Sequence, residues 1–306
     1  MSFLTKIFII YTDAGAGHRR AAEALDKVTG EVFPEASVSL FDVLNYTTPL
    51  FKKSYPAIYL FMVNRCPWLF GIGYYLTDIR AVDRFVRIFR RITNSIHCKT
   101  FAKYLINEQP DLVITTHWLP NEIITSLKKR RKLGSFLATC ITDYYPHAFW
   151  RNRGVDLYIA PNEDLIPRLT KLGVAPEKAQ TFGLPIDPEF ELHQDKVAIR
   201  KKLGLDPDLF TILITSGGFG VGPIKELVAE IEKIEASLQV QVVCGKNTGL
   251  REELTAHTKK ARHRFQIYGF VTNMDELMGA SDILISKSGG LTSTEAMAKN
   301  LPLIIL

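Results

Sequence analysis

Three times along this chain a run of aliphatic and β-branched residues gives way to a glycine-rich turn and then to a helical pattern. The turns are Thr12-Asp13-Ala14-Gly15-Ala16-Gly17-His18, Ser216-Gly217-Gly218-Phe219-Gly220-Val221-Gly222-Pro223 and Lys287-Ser288-Gly289-Gly290-Leu291-Thr292-Ser293-Thr294-Glu295. Strand, glycine turn and helix in that order open a βαβ unit. Glycine lets backbone N–H groups approach a ligand, and a helix start presents unpaired donors and partial positive charge. Together these make phosphate sites that need no metal, and in open parallel sheets they line the crevice beyond the strands' carboxyl ends. A single such turn is weak evidence, because glycine after a strand often does no more than close the turn.

Alternation runs through most of the rest. Strands are expected at 7–11, 38–41, 111–115, 136–141, 156–160 and 181–182, with helices near 18–28, 121–131 and 164–172. The pattern breaks at Gly183-Leu184-Pro185-Ile186-Asp187-Pro188 and resumes after Gly204-Leu205-Asp206-Pro207-Asp208. Strands then follow at 211–215, 240–243, 265–268, 283–286 and 303–306, alternating with helices. This predicts an α/β protein of two Rossmann-like domains: residues 1–187, a Pro/Gly-marked linker at 188–208, and residues 209–306. A length of 306 residues suits two domains, and 46% hydrophobic residues can fill two cores.

Other features narrow the class. No apolar run reaches the ~18 residues of a membrane span, and the start at Met1 lacks a signal peptide's basic head and cleavage site. Cys66, Cys98, Cys140 and Cys244 are scattered, which reads as reduced core thiols in the cytoplasm. The chain stops within an expected strand, so a further C-terminal portion is expected. Net charge is +6, but nine basic and two acidic residues fall between positions 50 and 100. From Phe51 to Arg91 this basic charge interleaves with Tyr55, Tyr59, Phe61, Trp68, Tyr74, Phe85 and Phe89. The segment reads either as an anionic membrane surface's partner or as packed helix with a solvated basic side. No nucleic-acid motif accompanies it.

In the third turn, Thr292 can bond a phosphate oxygen near the helix start, and Glu295 one turn later can accept from two ribose hydroxyls. The plain alternative for Glu295 is an exposed glutamate complementing the helix dipole.

The stretch Gly269-Phe270-Val271-Thr272-Asn273-Met274 through Ile285-Ser286-Lys287-Ser288-Gly289-Gly290-Leu291-Thr292-Ser293-Thr294-Glu295-Ala296 resembles the donor domain of family 28 glycosyltransferases. Gly15-Ala16-Gly17-His18, Thr142-Asp143 with His147, Gly183-Leu184-Pro185-Ile186 and Val243-Cys244-Gly245-Lys246-Asn247 extend the likeness along nearly the whole chain. Within the family it looks most like monogalactosyldiacylglycerol synthases and processive diacylglycerol glucosyltransferases.

The resemblance implies a GT-B fold, with two parallel-sheet domains facing across a cleft. The N-terminal domain would take the acceptor and the C-terminal domain UDP. It implies an inverting transfer of hexose from UDP-glucose or UDP-galactose to diacylglycerol or a related lipid, by an enzyme peripheral on the cytoplasmic membrane face. Phe270 and Val271 would meet the uracil, and Gly217, Gly218, Gly289, Gly290 and Thr292 the diphosphate. Glu295 would hold the ribose, with Lys246 and Lys287 neutralising charge. The family continues past the last strand into a Pro-Gly-Gln-Glu-like segment that touches the donor sugar.

Transfer needs a base within hydrogen-bond reach of the attacking hydroxyl, with a pKa near the working pH. His18 at a helix start is the first candidate, assisted or oriented by Asp13. Asp143 and His147 are further candidates for the catalytic site, whereas His117 reads as structural and His97, His193, His257 and His263 as surface or helix residues. No cofactor and no metal is expected, since the only D-x-D, Asp206-Pro207-Asp208, reads as a turn. Competing readings are a soluble relative such as a UDP-N-acetylglucosamine epimerase, and a non-catalytic nucleotide-sugar or lipid-binding fragment. An NAD-linked dehydrogenase fits least, because the first turn lacks the third glycine of G-x-G-x-x-G.

Overall fold

A computed structural model describes residues 5–306 other than 216, 219 and 221, and all of their side chains but those of residues 60, 64 and 80. Ser216, Phe219 and Val221 of the second glycine turn, and Met1 to Leu4, thus lie outside the described residues. The chain divides into two units, Met1–Asp187 and Pro188–Leu306.

Among the described residues the N-terminal unit holds six parallel strands: β1 (Lys6–Tyr11), β2 (Ser37–Asp42), β3 (Leu112–Thr115), β4 (Phe136–Cys140), β5 (Leu157–Ala160) and β6 (Ala179–Thr181). They lie in the order β2-β1-β3-β4-β5-β6. Ile7 and Ile9 pack on Ala22 of one layer, while Phe8 and Ile10 join the larger core with Val113 and Leu137. A strand covered on both faces reads as a continuous apolar run, which is why Ile7 to Ile10 do not alternate. Strand order reverses direction between β1 and β3, so the loops leaving those two strands flank the crevice where α/β sheets hold ligands.

Among the described residues seven α-helices complete this unit: α1 (Ala16–Val32), α2 (Pro49–Arg65), α3 (Pro67–Asp78), α4 (Arg80–His97), α5 (Lys99–Glu108), α6 (Trp118–Lys129) and α7 (Leu165–Leu172). Helices α2 to α5 occupy a stretch that strand–helix alternation left unassigned. Among the described residues no helix is long and apolar enough to cross a membrane.

Helix α4 is turned inside out. Asp83, Arg87, Arg90 and Asn94 face the protein, spaced four, three and four apart on one helical side. Asp83 pairs with Arg87 at 3.3 Å and Arg151 at 3.2 Å. The Arg90 guanidinium lies 4.1 Å from the Phe149 ring and 4.7 Å from the Trp118 ring, and its Nε donates to Glu122 at 2.6 Å. Asn94 donates to the other Glu122 oxygen at 2.7 Å. The opposite side, with Phe85, Ile88, Phe89, Ile92 and Ile96, is exposed apolar surface. Of the basic residues between 50 and 91, Arg87 and Arg90 are spent on internal carboxylates, while Lys52, Lys53, Arg65, Arg84 and Arg91 are exposed. Helix α3 buries no residue, and Trp68 and Tyr75 extend the exposed apolar surface.

The C-terminal unit holds β7 (Phe210–Thr215), β8 (Leu238–Val243), β9 (Arg264–Tyr268), β10 (Ile283–Ser286) and β11 (Leu303–Ile305), all parallel, in the order β11-β10-β7-β8-β9. Its helices are α8 (Lys196–Lys202), α9 (Ile224–Glu232), α10 (Thr248–His257), α11 (Met274–Ala280) and α12 (Gly290–Ala298). Here order reverses between β7 and β10. Residues 188–208, expected as a linker, instead pack as part of this unit. Ile199 and Leu205 join Ala280 in a small core. Buried Arg200 donates to the Ala280 carbonyl at 2.8 Å, the Pro207 carbonyl at 2.7 Å and Asp282 at 2.6 Å. The Pro and Gly residues that read as a flexible join are held by one arginine and an apolar contact that no local pattern reveals.

Candidate functional site: a histidine cluster and three glycine-rich loops

In the N-terminal unit the loops leaving β1, β3 and β4 meet around His18, in the first turn of α1. Its Nδ1 lies 2.7 Å from the Thr116 carbonyl oxygen and 2.9 Å from Thr142 Oγ1. A carbonyl only accepts, so the network places the hydrogen on Nδ1. The lone pair then sits on Nε2, for which no described residue supplies a hydrogen-bond partner. The Thr116 hydroxyl donates to the His18 carbonyl at 2.8 Å, tying helix start and loop from both ends. Burial lowers the His18 pKa, and the nearby Asp143 carboxylate opposes the shift only in part. The ring is therefore neutral near pH 7.

The other expected residues divide into neighbours and anchors. Asp143 accepts from the indole N–H of buried Trp150 at 2.7 Å, which fixes the carboxylate beside the cluster. Asp13 lies in the β1 loop, its N–H donating to Asp42 at 3.3 Å. His117 stacks edge-on against His18, ring centroids 4.6 Å apart. Its Nδ1 accepts from the Leu119 N–H at 3.0 Å, capping α6, and burial holds its pKa well below 6.5. His147 is buried with both ring nitrogens engaged. Nδ1 accepts from the Phe149 N–H at 3.2 Å, and Nε2 meets the Tyr74 carbonyl at 3.0 Å and Thr77 Oγ1 at 3.1 Å. It thus pins the end of α3 to the β4 loop. His263, read as a surface or helix residue, is buried and contacts the Ile234 carbonyl at 3.0 Å.

In the C-terminal unit three loops converge past the carboxyl ends of adjacent strands β10, β7 and β8. Gly217 (φ 78°) and Gly245 (φ 58°) adopt left-handed backbone that favours glycine. The Lys246 N–H donates to the Gly218 carbonyl at 2.9 Å, and a Cβ on Gly245 would stand 2.5 Å from that same oxygen. Lys287 lies over Gly217, its Cε 3.2 Å from where a Cβ would be. The Lys287 side chain is exposed over much of its length, yet protein crowded about its amine lowers its pKa. Helix α12 starts at Gly290 with Gly289 as its N-cap and no side-chain cap, and Thr292 lies in its first turn. Glu295 is buried one turn further on, not the exposed first-turn glutamate of the plain alternative. Phe270 and Val271 follow β9, with Phe270 exposed. The local result is the start of α12, without a side-chain cap, beside two loops that carry Lys246 and Lys287, which suits an anion.

Thr116 and Trp150 carried no sequence signal for their part in the cluster. Thr116 acts through its backbone, and Trp150 reaches Asp143 only through the fold. Thr142 stood in a recognised dipeptide but with no role of its own.

Comparison with known proteins is consistent along both units. Residues 18–186 match the family monogalactosyldiacylglycerol (MGDG) synthase, and residues 211–306 match the glycosyltransferase family 28 C-terminal domain. A probable chloroplastic monogalactosyldiacylglycerol synthase of Glycine max is 33% identical over 98% of this chain, which spans 58% of that protein. A processive diacylglycerol beta-glucosyltransferase of Bacillus subtilis is 29% identical, with 98% of this chain and 77% of that one covered. Among solved structures, Acinetobacter baumannii MurG shares the fold at a TM-score of 0.59 and 14% identity, covering 99% of this chain and 78% of that one. Anabaena HepE, solved with UDP-glucose, does so at 0.54 and 13%, covering 98% and 80%. The fold is the two-domain GT-B type, and the chain belongs to the monogalactosyldiacylglycerol synthase family of glycosyltransferases.

Proposed function

We propose that the chain transfers a hexose from UDP-glucose or UDP-galactose to diacylglycerol or a related lipid, with inversion at the anomeric carbon. The observation that carries this is the state of His18: Nδ1–H held by a carbonyl, Nε2 bearing a free lone pair, and a ring kept neutral by burial. That is the arrangement a general base requires. The acceptor oxygen forms the bond to the anomeric carbon while the bond from that carbon to the β-phosphate oxygen breaks. The electron pair leaves with UDP, and the hydroxyl proton passes to His18 Nε2. Asp143 stabilises the imidazolium that forms.

On the donor side Gly217, Gly218, Gly289, Gly290 and Thr292 present N–H and hydroxyl donors to the diphosphate. Lys246 and Lys287 offset its charge, Glu295 accepts from the ribose, and Phe270 and Val271 meet the uracil. Developing charge on departing UDP is stabilised by these fixed groups, and the reaction as proposed uses no resident metal or cofactor. His147 serves by positioning α3 rather than by touching substrate.

The exposed apolar side of α4, with Trp68 and Tyr75 of α3, is the surface that meets the membrane, peripheral on its cytoplasmic face. A soluble nucleotide-sugar enzyme has no use for such a surface, because large exposed apolar patches mark interaction sites. The test is transfer from radiolabelled UDP-hexoses to diacylglycerol vesicles. His18→Ala is expected to retain UDP binding and lose about 10²-fold or more in turnover. Near-normal turnover in that variant overturns the base assignment, and UDP binding with no glycolipid from the unaltered protein favours a binding-only role.

A further inference from the structure

Beside His18 stands a second imidazole with more to offer than a helix cap. His117 is only 4% exposed, and its Nδ1 accepts from the Leu119 N–H at 3.0 Å. A backbone N–H only donates, so Nδ1 carries a lone pair. Burial, with His18 and Arg90 nearby, holds the His117 pKa well below 6.5, so the ring is neutral and its hydrogen sits on Nε2. No described residue supplies that N–H with an acceptor. The Tyr55, Trp118 and Trp150 rings surround it at centroid distances of 6.4, 5.0 and 6.5 Å.

Capping α6 uses Nδ1 alone, and serine, threonine, asparagine or aspartate caps a helix as well. It gives no reason for a second nitrogen with a hydrogen in a buried place. Buried donors are nearly always paired, and a native exception points to an atom that comes from outside the chain. The two adjacent rings also carry opposite tautomers. His18 offers a lone pair on Nε2 and His117 a hydrogen on Nε2, with ring centroids 4.6 Å apart. One accepts and the other donates within the span of a single small group. A glyceride presents the matching pair: a hydroxyl with a proton to give up and, on the next carbon, an ester whose carbonyl oxygen accepts. An alkyl ether at that carbon lacks the carbonyl and accepts far more weakly.

We propose that the His117 Nε2–H binds the ester carbonyl oxygen next to the attacking hydroxyl, so that this residue selects acyl over alkyl glycerolipids. The assignment rests on the transfer reading above and adds to it a residue that reads the acceptor's linkage. His117 binds and orients the acceptor, while the proton still passes to His18.

The test compares transfer to dioleoylglycerol with transfer to its ether counterpart, in which alkyl chains of the same length replace the acyl chains. The unaltered protein is expected to favour the ester about tenfold in kcat/KM, the contribution of one hydrogen bond. His117→Asn keeps an oxygen that can cap α6 but loses the donor, and should bring the ratio to about one. His117→Gln carries an amide N–H near the Nε2 position and should keep most of the preference, with a lower melting temperature because its cap is poorer. Every variant meets the same two lipids, so differences in how they pack in a vesicle cancel. A purely capping role gives the reverse: the Asn variant keeps the ratio, and the Gln variant loses rate on both lipids alike. That outcome, or an unaltered protein indifferent to the linkage, overturns the proposal and leaves the transfer reading standing. No glycolipid from either lipid overturns the transfer reading itself, and this assignment with it.

Discussion

Replacing Phe85 and Phe89 with serine tests whether the outward side of α4 enters lipid. Full burial of a phenylalanine side chain contributes roughly 1.5–3 kcal/mol. Phe85 is 76% exposed and Phe89 72%, so about three quarters of that remains to be gained, roughly 1–2 kcal/mol each. Together they supply roughly 2–4 kcal/mol, and at about 1.4 kcal/mol per decade the double variant should partition onto vesicles some 30-fold to several hundredfold more weakly. The assay is co-flotation with phosphatidylcholine vesicles, which carry no net charge and so isolate the apolar contribution. High salt should change the result little, since these vesicles carry no net charge to be screened. Stability should move by no more than about 0.5 kcal/mol, because neither ring packs inside the protein. A folded variant that floats as well as the unaltered protein would refute the reasoning and leave the apolar side to some other partner.

Burial lowers the pKa of His18, His117 and His147. The unfolded chain therefore takes up protons near pH 6.5 that the fold refuses, so stability is full above about pH 6.5 and falls as pH drops below it. Urea midpoints measured near pH 8 and pH 5.5 should be lower in acid, and an equal or higher acid midpoint contradicts the assignment. Glu122→Ala leaves Arg90 buried between Trp118 and Phe149 without its carboxylate, and should cost roughly 3–5 kcal/mol in urea unfolding. A loss under about 1 kcal/mol would mean that water replaces the carboxylate. Gly245→Ala places a Cβ 2.5 Å from the Gly218 carbonyl at a φ of 58°, which should part the two donor-side loops. UDP affinity, read by calorimetry, should then fall about tenfold or more, and unchanged affinity would show that these loops do not hold the diphosphate.

How far the site could be read from the sequence differs between its halves. The half proposed to take the donor sits on three loops whose glycines, hydroxyl and lysines are local features, each placed by the strand before it and the helix after it. His18 was legible for the same reason. Its state was not, because the groups that set its tautomer, Thr116 and Thr142, arrive from strands β3 and β4 about a hundred residues away. His147 sat in a promising motif, yet Tyr74 and Thr77 occupy its ring.

The sequence by itself determined the α/β class, the two sheets and the positions of their glycine turns. Those follow from side-chain period and backbone freedom, which are properties of short segments. Only the tertiary structure decided which way α4 faces. Its composition, basic and aromatic together, is equally compatible with charge outward or charge inward. The outcome turns on partners supplied from elsewhere: Arg151 meets Asp83 of α4, and Glu122 of α6 accepts from Arg90 and Asn94. A buried guanidinium is tolerable only where such partners await it. Their presence puts Arg87 and Arg90 inside and leaves Phe85 and Phe89 out, beside the exposed Arg84 and Arg91.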